Sequence, residues 1–177
     1  MDAANDSGET MDDREMLQAG FRYAMALSHR VEDAEDLVQE AWLNLTRRYG
    51  SVASRALLFT TVRNLFIDQC RRRKIVHFES IDQPEAPALP VPDAAQPGVQ
   101  GDIAVLLGVL RPAEREAIFL HYYEGHTAEE ISQLTGQPRG TVLSLLHRAI
   151  HRLREAAADS PAAARCNQWL LMLVTLM

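Results

Sequence analysis

Residues 127–153 read TAEEISQLTGQPRGTVLSLLHRAIHRL. Thr127 followed three residues later by Glu130 is the capping-box pattern, in which hydroxyl and carboxylate satisfy the free backbone N–H groups of a helix start. A short helix through Ile131 and Leu134 then stops at Gly136, and Pro138 suits the first turn of another. That next helix carries Val142, Leu145, Leu146, Ile150 and Leu153 at helical spacing. A short helix, a turn with Gly, and a longer helix opening on small polar and basic residues form the helix-turn-helix arrangement. In it the second helix inserts its N-terminal residues into the major groove, while basic residues further along reach phosphates. Arg139, Thr141, Ser144, His147 and Arg148 occupy those positions. A plain helical hairpin with a basic surface fits the same pattern.

Moving outward, the stretch Asp102 to Leu110 predicts an apolar helix. Pro112 then starts another, which runs through Ile118, Phe119 and Tyr122 to Gly125. Before them, residues 79–101 hold five of the eight prolines and few large apolar residues. Such a segment neither sustains a helix interior nor buries a core, so it reads as a semi-extended tether between two domains. The first half of the chain is helical again. Leu17, Phe21 and Met25, with Ala24 and Ser28, share one face of a first helix. A second begins near Glu32 or Asp33, carries the stripe Leu37, Val38, Ala41, Trp42 and Leu45, and ends before Gly50. Asp36, Gln39, Glu40 and Asn44 fall on its polar side. A third, from about Ser54 to Lys74, buries Leu58, Val62, Leu65 and Phe66 and offers Arg63 and Asn64 on its polar side. The expected fold is all-α: two small helical domains joined by a Pro-rich linker, the second containing the helix-turn-helix.

Charge divides along the same boundaries. The chain carries 18 Lys+Arg against 24 Asp+Glu, net -6, which evenly spread would argue against a nucleic-acid partner. Residues 1–20 are net -5, residues 21–78 net +4 and residues 79–110 net -5, while residues 111–158 balance. The acidic total therefore hides two basic faces separated by an acidic connector, and docking to phosphates requires a basic face only. Arg71, Arg72, Arg73 and Lys74 are contiguous at a helix C-terminus. The helix dipole favours cations there, but four in one turn repel one another beyond what capping needs, and they read as phosphate or acidic-partner contacts, with a merely solvated face as the alternative.

Several classes are excluded. Two cysteines far apart in sequence rule out a disulfide scaffold and a cysteine zinc module. No nucleophile-base set or phosphate-binding Gly loop suggests a hydrolase or transferase, so no catalytic residue and no cofactor are expected. The N-terminus is acidic and polar, the reverse of a signal peptide. The longest apolar run, Trp169 to Val174, is far short of the roughly 20 residues that cross a bilayer. A cytoplasmic protein is expected. His147 and His151 stand four apart as helical metal pairs do, but with no evident third ligand they read as DNA-facing or solvated, and no metal site is expected.

Both halves together resemble the sigma-70 family, specifically its small extracytoplasmic-function (ECF) sigma factors. The first half carries DAEDLVQE at 33–40 and LLFTTVRNLFID at 57–68, followed by the Arg-rich run, which resemble region 2. The second carries LRPAERE at 110–116, TAEEI at 127–131, GTV at 140–142 and HRA at 147–149, which resemble region 4. The resemblance implies a domain division: an acidic disordered N-terminus at 1–14, region 2 at 15–78, the linker at 79–101, region 4 at 102–156 and an apolar tail at 157–177. It also implies roles. Asp36, Gln39 and Glu40 would dock on the clamp coiled coil of core RNA polymerase. Arg63 and Asn64 would contact the −10 promoter element, with Arg71, Arg72, Arg73 and Lys74 on its phosphates. Arg139, Thr141, Ser144, His147 and Arg148 would read the −35 element. An anti-sigma factor or other regulatory protein is the further partner implied. The competing readings are a stand-alone helix-turn-helix regulator and a helical protein-binding adaptor.

Three departures from the family pattern stand out. Leu57 replaces a frequent Trp. Leu143 and Leu145 stand where the recognition helix usually has basic residues, which predicts weaker duplex affinity with a flatter salt dependence, or a surface given partly to protein contacts. The tail from Cys166 to Met177 is mostly apolar, and reads as an extra helix packed on region 4 or as an exposed docking or autoinhibitory element.

Overall fold

The computed structural model of the chain describes residues 12–52, 54–73 and 107–159. Its elements are helices: α1 (Asp13–Ser28), α2 (Val31–Tyr49), α3 (Arg55–Arg73), α4 (Pro112–Ile118), a wider π-turn at Phe119–Tyr123, α5 (Ala128–Thr135) and α6 (Arg139–Asp159). No strand occurs among the described residues. Most of the acidic N-terminus, the whole linker and most of the apolar tail lie outside them, as do Cys166 and most of the helix expected at Asp102–Leu110.

The stop signals act where they stand. Gly50, Gly125 and Gly136 all adopt positive φ, the left-handed conformation that glycine accepts without steric cost. Gly50 and Gly136 each turn a backbone N–H back onto the preceding helix, at Thr46 and Ser132. At the head of α5 the capping box forms: Glu130 N–H donates to Thr127 Oγ1 at 3.3 Å, and Thr127 N–H donates to Glu130 Oε2 at 2.7 Å.

Helices α1, α2 and α3 pack into one bundle, and α6 packs across α4 and α5. The stripe of α2 is buried as its period predicts, with Trp42 half-buried at its edge. α1 differs from expectation. Its buried residues are Met16, Ala19, Gly20, Tyr23, Ala24, Leu27 and Ser28, whereas Leu17 lies exposed and Phe21 and Met25 are half-buried. The cause is that α1 is covered from three sides, by α2, α3 and α4. Gly20 lets α3 approach closely: a Cβ there would stand 2.9 Å from Leu58 Cδ2. The two halves thus share one core, in which Tyr23, Leu37, Leu58 and Phe59 meet Ala117, Leu120, Ile131 and Val142 in a single cluster.

Candidate functional site

The seam between the halves holds a cluster of buried polar side chains. Glu116, from α4, is fully buried. Its Oε1 accepts from the Tyr23 hydroxyl of α1 at 2.5 Å and from Arg63 Nε of α3 at 3.0 Å. Burial pushes the Glu116 carboxyl above its usual range, opposed by the Arg63 charge and by the bonds from Tyr23 and Arg63. Burial and then the neighbouring carboxylate push the Tyr23 phenol well up. Both donors that the carboxylate needs are supplied by the opposite half, as a buried charge requires.

Arg115, one residue before, serves the end of α1. Its Nε and Nη2 donate to the Ala26 and Leu27 carbonyls at 3.0 and 3.1 Å, and Nη1 donates to the Leu110 carbonyl at 2.6 Å. A cation there satisfies terminal carbonyls and complements the negative end of the helix dipole. Burial pulls its pKa down to about 10, against the favourable charge of Glu114. Glu114 in turn accepts from the Arg111 N–H at 3.0 Å and faces Arg152 of α6 at 3.6 Å. Aromatic rings fill the seam beside these groups. Tyr23 stacks on Phe59 at 4.4 Å, and Phe119 leans on both. At its rim Arg55 pairs with Glu124 at 2.9 Å.

Sequence reasoning did not single out Tyr23, Glu116 or the anchoring role of Arg115. Three consecutive ionisable residues, Glu114, Arg115 and Glu116, are all buried, and no helical period marks charged neighbours as interior. A weak signal existed: such a run at the head of a seven-residue helix cannot all face solvent if that helix packs on both sides.

The predicted site residues fall on three surfaces. Asp36, Gln39 and Glu40 are exposed on one side of α2, one helical turn apart. Gln39 also borders a groove between α1 and α2 lined by Leu17, Phe21, Arg22 and Val38. On α3, Asn64 is exposed but Arg63 is only 9% exposed, held at the seam. Arg71 and Arg72 are exposed, Arg71 within 3.6 Å of Asp68. Arg73 closes α3, and Lys74 lies outside the described residues. On α6, Arg139, Ser144 and His147 are exposed, with Thr141 and Arg148 half-buried. Ser144 Oγ donates to the Gly140 carbonyl at 2.9 Å, and Arg148 Nε donates to the Ser144 carbonyl at 3.3 Å. The two unusual leucines separate: Leu145 is 8% exposed and belongs to the core, whereas Leu143 is 44% exposed. Packing therefore accounts for Leu145. His151 sits 3.3 Å from Glu155, and Leu57 packs half-buried against the core. Among the described residues no group of three His, Cys, Asp or Glu side chains is placed to hold a metal ion, and no helix is long and apolar enough to cross a membrane.

Comparison with known proteins covers both halves. The family model of sigma-70 region 2 matches residues 14–75, and that of sigma-70, region 4 matches residues 106–155. The RNA polymerase sigma-E factor of Streptomyces coelicolor is 31% identical over 169 residues, covering 89% of this chain and 93% of that protein. The ECF RNA polymerase sigma factor SigL of Mycobacterium tuberculosis is 36% identical over 143 residues, covering 76% of this chain and 80% of that protein. Among solved structures, the sigma factor RpoE of Bartonella quintana, crystallised with the anti-sigma factor NepR, is similar with a TM-score of 0.59 and 29% identity, over 82% of this chain and 93% of that one.

Proposed function

The chain belongs to the sigma-70 family, as an ECF-type sigma factor that binds core RNA polymerase and promoter DNA in transcription initiation, and from that premise we propose how its residues divide the task. Region 2 is assigned to 15–78 and region 4 to 102–156, with 79–101 as the tether. Asp36, Gln39 and Glu40 dock on the clamp coiled coil of the polymerase. Arg63 and Asn64 contact the −10 element while Arg71, Arg72, Arg73 and Lys74 hold its phosphates. Arg139, Thr141, Ser144, His147 and Arg148 engage the −35 duplex. The chain supplies binding energy and strand capture, and the polymerase performs the chemistry. It works in the cytoplasm, and on the likeness to a sigma factor bound by an anti-sigma factor a protein inhibitor regulates it.

The observation that carries this division is the separation of surfaces. An exposed acid-and-amide face on α2 suits a protein partner. The C-terminal turn of α3, and an α6 with no acid between 139 and 154, suit phosphates. Arg63 adds a condition. It cannot reach DNA while Glu116 holds it, so the two halves must part before the −10 element is read. This makes the seam a closed state and the polymerase-bound form an open one.

The test is initiation by purified core polymerase, with and without this chain, on a genomic promoter library. Promoter-selective transcripts are expected, with both elements recoverable from their alignment. The double variant Asp36→Lys/Glu40→Lys should lose polymerase binding by at least about ten-fold while leaving the fold intact, because both side chains are exposed and reversing two charges at a docking face spoils its electrostatic complementarity. Unchanged binding would remove the α2 face from the proposal.

A further inference from the structure

Among the described residues of α6, Leu143 is the large apolar side chain left in solvent. It lines a shallow groove with Ser144, His147 and Arg148, on the flank of the buried face formed by Val142, Leu146 and Ala149. One turn earlier stands Gly140, around which a Cβ would meet nothing within 4 Å. The turn that the Leu143 side chain leans over therefore carries no side chain at Gly140, and a partner can approach the backbone there. Beside it the polar groups are engaged within the helix: the Ser144 hydroxyl on the Gly140 carbonyl and the Arg148 guanidinium on the Ser144 carbonyl. What this surface offers at its centre is an isobutyl group, ringed by Arg139, His147 and Arg148 with no acid nearby in the helix.

A lone apolar group inside a rim that carries two arginines is poorly matched to a protein surface, which needs a contiguous apolar patch to hold it. It is well matched to the DNA major groove. There phosphates meet the rim, and a single base, thymine, presents a methyl group to an apolar side chain. We propose that Leu143 is a specificity determinant of this sigma factor: it reads thymine in the −35 duplex through the C5-methyl group, where a basic residue at that position would read guanine or phosphate. The inference rests on the assignment of α6 to the −35 element.

The experiment uses the full chain assembled with core polymerase and a pool of duplexes randomised across the −35 region. The best-bound duplex is remade with each thymine in turn replaced by deoxyuridine, which deletes only the methyl group. At one thymine the wild-type affinity is expected to fall about four-fold, the worth of one buried methyl. Leu143→Ala should bind thymine and uracil duplexes alike, and Leu143→Met should retain part of the discrimination. Indifference of the wild type to uracil at every thymine overturns the proposal, as does an unchanged thymine-to-uracil ratio in Leu143→Ala. If Leu143→Ala instead weakens polymerase binding with no DNA present, Leu143 is a protein contact and the proposal falls. Failure of the pool to yield any preferred −35 sequence would overturn the assignment of α6 and this proposal together.

Discussion

His29 closes α1 in a left-handed conformation, φ 56°, with its Nε2 3.2 Å from where a Cβ on Gly108 would stand. Burial, and then the Arg115 charge, lower its pKa from the ordinary 6.5. A base whose folded value lies below its unfolded one takes up its proton more readily in the unpacked chain. Stability is therefore fully present above pH 6.5 and is lost as pH falls from there toward the folded value. Glu116 acts in the opposite sense. Its folded value lies above the ordinary 4.5, so its contribution favours packing at low pH and is lost as pH rises through that range. Substituting His29 separates the two. Asn tolerates the left-handed region, so His29→Asn should fold as the wild type does and lose less of its melting temperature between pH 7 and pH 5.5. Equal losses in both proteins would assign the acid sensitivity to other groups. At this scale the sequence is least informative, since the Arg115 guanidinium that lowers the His29 pKa comes from the other half of the chain.

At the scale of elements, most of the architecture is legible in the sequence, because its signals are local. Helix α2 starts one or two residues before the expected acids and ends against Gly50, and α3 matches its predicted span to within one residue at each end. The box at Thr127 works through atoms three residues apart, which is why the pattern alone located α5. It also permits a sharp prediction. Thr127→Ala removes the hydroxyl acceptor of the Glu130 N–H and should cost about 1 kcal/mol. Because the two halves share one core, a loss of that size lowers the melting temperature of a chain of 177 residues by about 2–4 °C. Thr127→Ser should restore it, and a melting curve indistinguishable from wild type in Thr127→Ala would mean that packing alone fixes α5. The α1 face departs from its expected stripe for a reason of a different kind. Leu17, Phe21 and Met25 form one stripe, and Met16, Tyr23 and Leu27 an adjoining one. Period cannot choose between them, and the packing of α4 does.

For the whole molecule, the central fact is that the partner of Arg63 lies 53 residues further along the chain and that of Tyr23 lies 93 away. The helical period places Arg63 on the polar side of α3 and is silent about a buried carboxylate arriving from beyond the tether. The same residue is thus the expected −10 contact and the strut of the seam. If Arg63 serves as the proposed −10 contact, these roles exclude each other in time, and the Glu116 cluster would set how readily the chain opens. Glu116→Ala tests this. It leaves the Tyr23 hydroxyl and Arg63 guanidinium buried in the closed state without that acceptor, and removing one partner of a buried pair costs about 3–5 kcal/mol. In the open state both groups reach water and the cost vanishes. The substitution should therefore favour opening over unfolding: small-angle scattering should show a larger radius of gyration, while the helical circular dichroism stays near that of the wild type. Polymerase should bind the variant at least as tightly, because less closed form remains to be opened. A variant that melts earlier with an unchanged radius would show that the seam is a structural core rather than a clasp. Arg63 would then have to leave the list of promoter contacts, since nothing would bring it to the DNA.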